Sequence, residues 1–127
     1  MQYQVNDFKI VVLESPFAGD EFKNVKYARH CMHDMLLRGE APYASHLLYT
    51  QPDVLDDNNP VERDMGIKAG FAFKHMPNVH TIFYTDLGMS GGMKMALDYI
   101  QKHGMTFEIR TLPNFSEIFI DKGVQYN

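Results

Sequence analysis

The stretch Phe8-Lys9-Ile10-Val11-Val12-Leu13-Glu14-Ser15-Pro16-Phe17-Ala18-Gly19-Asp20 decides the fold. Its first half, Phe8 to Glu14, is an apolar, β-branched run without alternation. Such a run suits a strand covered on both faces, as in parallel sheets. Ser15 to Asp20 breaks the run, and Asp20 is placed to cap a following helix. A strand that turns at once into a helix is the opening unit of an α/β domain.

The pattern then repeats. A helix is expected from about Glu21 to Arg38, with Phe22, Val25, Ala28, Met32, Met35 and Leu36 on its inner face and Gly39 as its stop. Ala41 to Tyr49 reads as a second strand, and the Asp- and Asn-rich stretch from Asp53 to Pro60 as a loop. Pro60 opens a helix to about His75, with Met65, Ala69, Ala72 and Phe73 facing inward. Within it Gly66 and Gly70 either weaken the helix or admit a close neighbour. Val79 to Thr85 is a third strand, Met93 to His103 a helix ended by Gly104, and Thr106 to Leu112 a fourth strand. Residues Met1 to Asp7 read as frayed. In the tail, 113–127, the run Glu117-Ile118-Phe119-Ile120 reads as an edge strand or a contact with a second subunit.

Strands and helices alternate throughout, so the expectation is one domain over residues 1–127. Its architecture is a flavodoxin- or Rossmann-like three-layer α/β fold around a mainly parallel sheet of four to five strands. Ligands of such sheets bind beyond the carboxyl ends of the strands.

Composition narrows the chemistry. The chain has 127 residues, a formal net charge of −4 and no basic block, which argues against a nucleic-acid backbone binder. Cys31 is the only cysteine, so a disulfide framework is excluded, and its place on an apolar helix face reads as a buried thiol. The six histidines do not fall at metal-binding spacing; His30 and His33 lack a supporting carboxylate motif. Neither a metal nor a cofactor is expected. No apolar run approaches the ~20 residues of a membrane span, and no signal peptide is evident, so a cytoplasmic protein is expected.

Three strand ends carry chemistry-bearing residues. At the first, Pro16 fixes the backbone and Phe17 offers an aromatic face to a base or sugar. At the third, Thr85-Asp86-Leu87-Gly88-Met89-Ser90-Gly91-Gly92 leads small residues into a helix start, where unpaired N–H groups favour an anion. Ser90 reads as a helix cap, as a phosphate ligand, or as each in different states. At the second, His46 reads as a structural strand histidine or as a group orienting a substrate hydroxyl. Glu62-Arg63-Asp64 opens the next helix, where acidic groups also complement the helix dipole.

Taken together, these pieces resemble the nucleoside 2-deoxyribosyltransferase superfamily, and especially a small branch common in phage genomes. The resemblance covers about Lys9 to Arg110. It rests on SPFAG (15–19), Asn24 and Ala28, LLRGEAPYASHLLY (36–49), LDDNNPVERDMGIKAG (55–70) and TDLGMSGGM (85–93), in that order. It implies a flavodoxin-like fold and a homodimer or higher oligomer in a bacterial or phage-infected cell. The implied activity is cleavage or transfer at the N-glycosidic bond of a nucleoside or its monophosphate. There a carboxylate attacks the anomeric carbon and forms a covalent glycosyl-enzyme. The implied roles fall on Ser90, Gly91 and Gly92 as the phosphate turn, on His46 and Phe17 as pocket wall, and on Asp64 as an acid that positions substrate or nucleophile; Ser15, Pro16, Gly19, Tyr49 and Gly88, in the same segments, complete the candidate binding set.

One departure bears on the chemistry. The superfamily nucleophile is a Glu six residues after the turn serine, and here that position is Ala96, between Met95 and Leu97. Asp98 lies about 200° further around the helix. Glu14 is a second departure, since the superfamily usually has a small residue before its Ser-Pro. Two readings stay open. Either Glu14, Asp64 or Asp86 supplies the missing carboxylate, or the protein binds a nucleotide without cleaving it. A third possibility, a protein-interaction domain that keeps only the fold, draws on the nine Met, nine Phe and seven Tyr.

Overall fold

A computed structural model describes residues 2–119. Four strands pair in the order β2-β1-β3-β4, all parallel: β1 (Lys9–Glu14), β2 (Glu40–Tyr43), β3 (His80–Tyr84) and β4 (Phe107–Arg110). The helices are α1 (Glu21–Leu37), α2 (Ser45–Leu48), α3 (Pro60–Ala72), α4 (Gly91–Lys102) and α5 (Phe115–Ile118). They cover both faces, which gives the expected three-layer, Rossmann- or flavodoxin-like α/β fold.

Alternation along the strands sorts the core into two halves. Val11, Leu13, Ile82 and Tyr84 face α1, where Tyr27, Ala28, Cys31 and Met35 pack on them. Phe83 faces the other way, onto Phe71 of α3 and Met93, Ala96 and Ile100 of α4. From β1 the chain steps outward to β2, then crosses back to β3 on the other side of β1. That reversal opens a crevice between β1 and β3 at their carboxyl ends.

Local signals set most element ends. The Asp20 side chain accepts the Lys23 amide and starts α1, and the Asn59 side chain accepts the Val61 and Glu62 amides ahead of Pro60. Ser90 accepts the Met93 amide, so α4 begins at Gly91 rather than Met93.

Several expectations are corrected. The second strand ends at Tyr43, and Ser45–Leu48 form the one-turn α2, so His46 sits on a helix. The inner face of α1 is Asn24, Tyr27, Ala28, Cys31 and Met35, while Phe22 and Leu36 are exposed. The buried residues of α3 are Gly70 and Phe71, with Met65 turned to solvent. Val5–Asp7 form a 3-10 turn closed by a Gln4–Asp7 box. The tail forms α5 in place of an edge strand, and Phe119 packs edge-on against Tyr27; Ile120 lies outside the described residues.

Gly70 explains how α2 and α3 meet. A Cβ there would stand 2.5 Å from Ser45 Oγ and 2.8 Å from Ser45 Cβ, so only glycine allows this approach. Ser45 lies just past the end of β2. The part of α3 before Gly70, roughly 15 Å at 1.5 Å per residue, therefore rises beyond the strand tips as a wall.

Candidate functional site

The wall encloses a cavity of about 410 Å³ at the β1/β3 crevice. Its floor is the end of β1, with Glu14, Ser15 and Phe17. One side is α2 and the following turn, with Ser45, His46 and Tyr49. Opposite stands the start of α4, with Ser90, Gly91, Gly92, Met93 and Met95; Arg63, Gly66, Ile67 and Phe71 of α3 complete it.

The β1–α1 loop is held in place by Asn24, whose side-chain amide donates to the carbonyls of Phe17 (3.0 Å) and Ala18 (3.1 Å). Ser15 is buried, and its Oγ lies 2.7 Å from His46 Nε2. Burial, aided by the positive charge of Lys74, lowers the His46 pKa to about 4, so its ring is neutral at pH 7. Tyr43 and Tyr49 share a hydroxyl–hydroxyl bond of 2.7 Å, and Tyr43 stacks on Phe73.

At α4, the Ser90 hydroxyl takes the Met93 amide and its carbonyl takes the Lys94 amide. The first helical amides, on Gly91 and Gly92, have no acceptor within their own helix. A Cβ on either glycine would meet nothing within 4 Å. The result is an open, amide-lined seat with the positive end of the helix dipole behind it. Arg63 lines the same cavity, paired with Asp57 at 3.3 Å.

Beneath the floor lies a buried ion pair. Lys74 Nζ, on the 3-10 turn after α3, donates to Glu14 Oε2 at 2.6 Å, and the Lys74 side chain is only 1% exposed. Burial pushes the Glu14 pKa up from the usual carboxylate range, and the Lys74 charge and hydrogen bond oppose that rise.

Of the thirteen residues proposed from sequence, Glu14, Ser15, Phe17, His46, Tyr49, Ser90, Gly91 and Gly92 line this one cavity. Pro16 is buried beside it, and Gly19 and Gly88 sit in adjoining turns with positive φ. Asp64 lies outside: it shares α3 with Arg63 and Ile67 but points the other way, where Lys68 pairs with it at 2.8 Å and its side chain is 63% exposed. Asp86 also lies outside. Two residues past Tyr84, it keeps that residue's α1-facing side. There it accepts the Tyr27 hydroxyl (2.6 Å) and the Leu112 amide (2.9 Å). Ala96 is fully buried against the sheet.

Arg63, Ser45, Met95 and Lys74 went unassigned from sequence. Arg63 stood beside Asp64 in a segment already singled out, and helical spacing from Gly66 and Gly70 was the signal that favoured it. Lys74 gave no signal, since a lysine near a helix end ordinarily faces water. Among the described residues, no three His, Cys, Asp or Glu side chains gather as metal ligands. No described helix is long and apolar enough to cross a membrane.

Fold and cavity define a parallel α/β protein with a ligand-sized crevice at its topological switch point. Within that class, residues 9–110 match the model of a family described as a domain of unknown function, DUF7768, and the chain belongs to that family. No curated protein and no solved structure matched the chain.

Proposed function

We propose that the cavity binds a nucleoside monophosphate, in the manner of the deoxyribosyltransferases that the sequence resembles. In this reading the phosphate sits on the Gly91 and Gly92 amides and Arg63 supports it. The sugar lies over Ser15 and His46, and the base rests among Phe17, Ile67 and Met95. The observation that carries the reading is the open amide seat of α4 facing the polar tip of β1 across a cavity of about 410 Å³. That size fits a ligand with an apolar body and a few fixed polar groups. A homodimer and a cytoplasmic location belong to the same reading.

Calorimetric titration with deoxynucleoside monophosphates tests it. Saturable binding is expected, with the parent nucleosides binding at least tenfold more weakly. Ser90→Asp should abolish nucleotide binding, because aspartate still caps the helix while its charge repels the phosphate. Undiminished binding by that variant, or no binding by the natural protein, refutes the assignment.

A further inference from the structure

We propose that Glu14 is a catalytic nucleophile and that Lys74, behind it, is its positioning residue; this rests on the nucleotide-binding reading above. The carboxylate lies at the junction of floor and cavity, with its side chain 14% exposed, while the lysine is sealed beneath it. Their bond engages Oε2 alone. Among the described residues Oε1 accepts no hydrogen bond, and it is the oxygen available to a sugar above.

The other carboxylates at the cavity are committed elsewhere. Asp57 pairs with Arg63, and Glu62 accepts the Asp56 amide. Both belong to the rim, on α3 and the loop before it, away from the β1 tip. A buried ion pair adds little net stability compared with apolar side chains of similar volume. A carboxylate at a cavity floor, with a buried ammonium bonded to one oxygen and the other oxygen unengaged, is an arrangement suited to nucleophilic attack.

The reaction balances without a cofactor. Glu14 oxygen forms a bond to the anomeric carbon as the C–N bond to the base breaks. The bonding pair leaves with the base, which takes a proton from water. A second water then adds to the anomeric carbon and the ester C–O bond breaks. Its electron pair returns to Glu14, and the water's spare proton goes to solvent. The sum is nucleotide plus water giving sugar phosphate plus free base.

The charged and titratable groups around Glu14 are Lys74, from the turn after α3 and bonded to it, and His46 from α2, with Arg63, Asp57 and Glu62 also lining the cavity. His46 is neutral, which leaves the Lys74 ammonium as the nearest positive charge.

Three measurements on the full chain, with the four common deoxynucleoside monophosphates as probes, test the proposal. Base release followed by chromatography should fall by roughly 10³-fold or more in Glu14→Gln, with calorimetric affinity within threefold of the natural protein. A 2-fluoro-arabinosyl nucleotide, which slows the second step, should leave an adduct mapped by mass spectrometry to Glu14. Lys74→Met should move the acid limb of the rate profile to higher pH, and Lys74→Arg should restore it. Should Lys74→Met fail to fold, Glu14→Gln and the adduct decide alone. Binding without base release overturns this proposal and leaves the binding assignment intact, as does release that Glu14→Gln does not slow or an adduct elsewhere. Absence of binding overturns both.

Discussion

Two buried charged clusters lie on opposite faces of the sheet, and they differ in what they leave unsatisfied. On the α1 face, Arg110 is 8% exposed. Its guanidinium donates to both oxygens of Glu40 (2.8 and 3.0 Å), to Glu108 (2.9 Å) and to the Tyr84 hydroxyl (3.1 Å). Tyr84 in turn donates to Asp34 at 2.6 Å, and Asp34 pairs with Arg38. The chain of donors and acceptors runs from Glu40 through Arg110 and Tyr84 to Asp34 and Arg38, and ties edge strands β2 and β4 to the centre. On the α3 face, Lys74 has one carboxylate, and that carboxylate lines the cavity. The first cluster accounts for itself as architecture. The second is the one on which the proposed chemistry rests.

The comparison breaks most severely at its architectural end. Arg110→Met should destabilise the protein by roughly 3–5 kcal/mol, because it strands the largely buried Glu40 without its partner. Chemical denaturation measures this, with binding expected to be unchanged wherever the variant remains folded. Lys74→Met strands Glu14 in the same way, but Glu14 can recover water through the cavity, so its cost should be smaller. The double variant Glu14→Gln/Lys74→Met should recover part of that loss. A loss from Lys74→Met equal to that from Arg110→Met would show that the two clusters play the same role.

Acid sharpens the contrast. Folded His46 has a pKa of about 4 against 6.5 for the free side chain. Between those values the unfolded chain binds a proton that the folded one refuses. Stability contributed by neutral His46 is thus present above pH 6.5 and is lost as pH falls toward 4, by about 3 kcal/mol at most. His46→Gln, which can still bond Ser15, should flatten that part of the stability profile. Parallel profiles for variant and natural protein would mean that His46 protonates freely in the folded state, and the sealed floor would be disproved.

The sequence made some of this legible and hid the rest for identifiable reasons. β1 and β3 announced themselves because unbroken β-branched runs have few other uses. The strand-tip residues Ser15, Phe17 and Ser90 followed from the general position of ligands in such sheets. Ala41 to Tyr49 misled because a short apolar run fits a strand or a helical turn equally well; Ser45 and its neighbours settle into α2 against Gly70, a contact that exists only in three dimensions. The Glu14–Lys74 pair spans sixty residues, so neither partner marks the other in the chain. Asp86, by contrast, could have been placed. Strand alternation from Ile82 through Tyr84 carries it to the α1 face, away from the cavity.

Asp64 is the smallest test and the one that separates geometry from resemblance. The resemblance implies that it positions substrate or nucleophile. The structure sets it on the solvent side of α3, joined to Lys68 one helical turn on, both more than half exposed. Such an i,i+4 pair is worth about 0.3–0.5 kcal/mol. Asp64→Asn should therefore shift stability by no more than this and leave nucleotide affinity and base release as they were. Arg63→Gln, one residue earlier on the cavity side, should weaken nucleotide binding several-fold while sparing the nucleoside. If the order of these two effects is reversed, α3 turns a different face to the cavity when ligand is bound, and the division between the two sides of this helix does not hold.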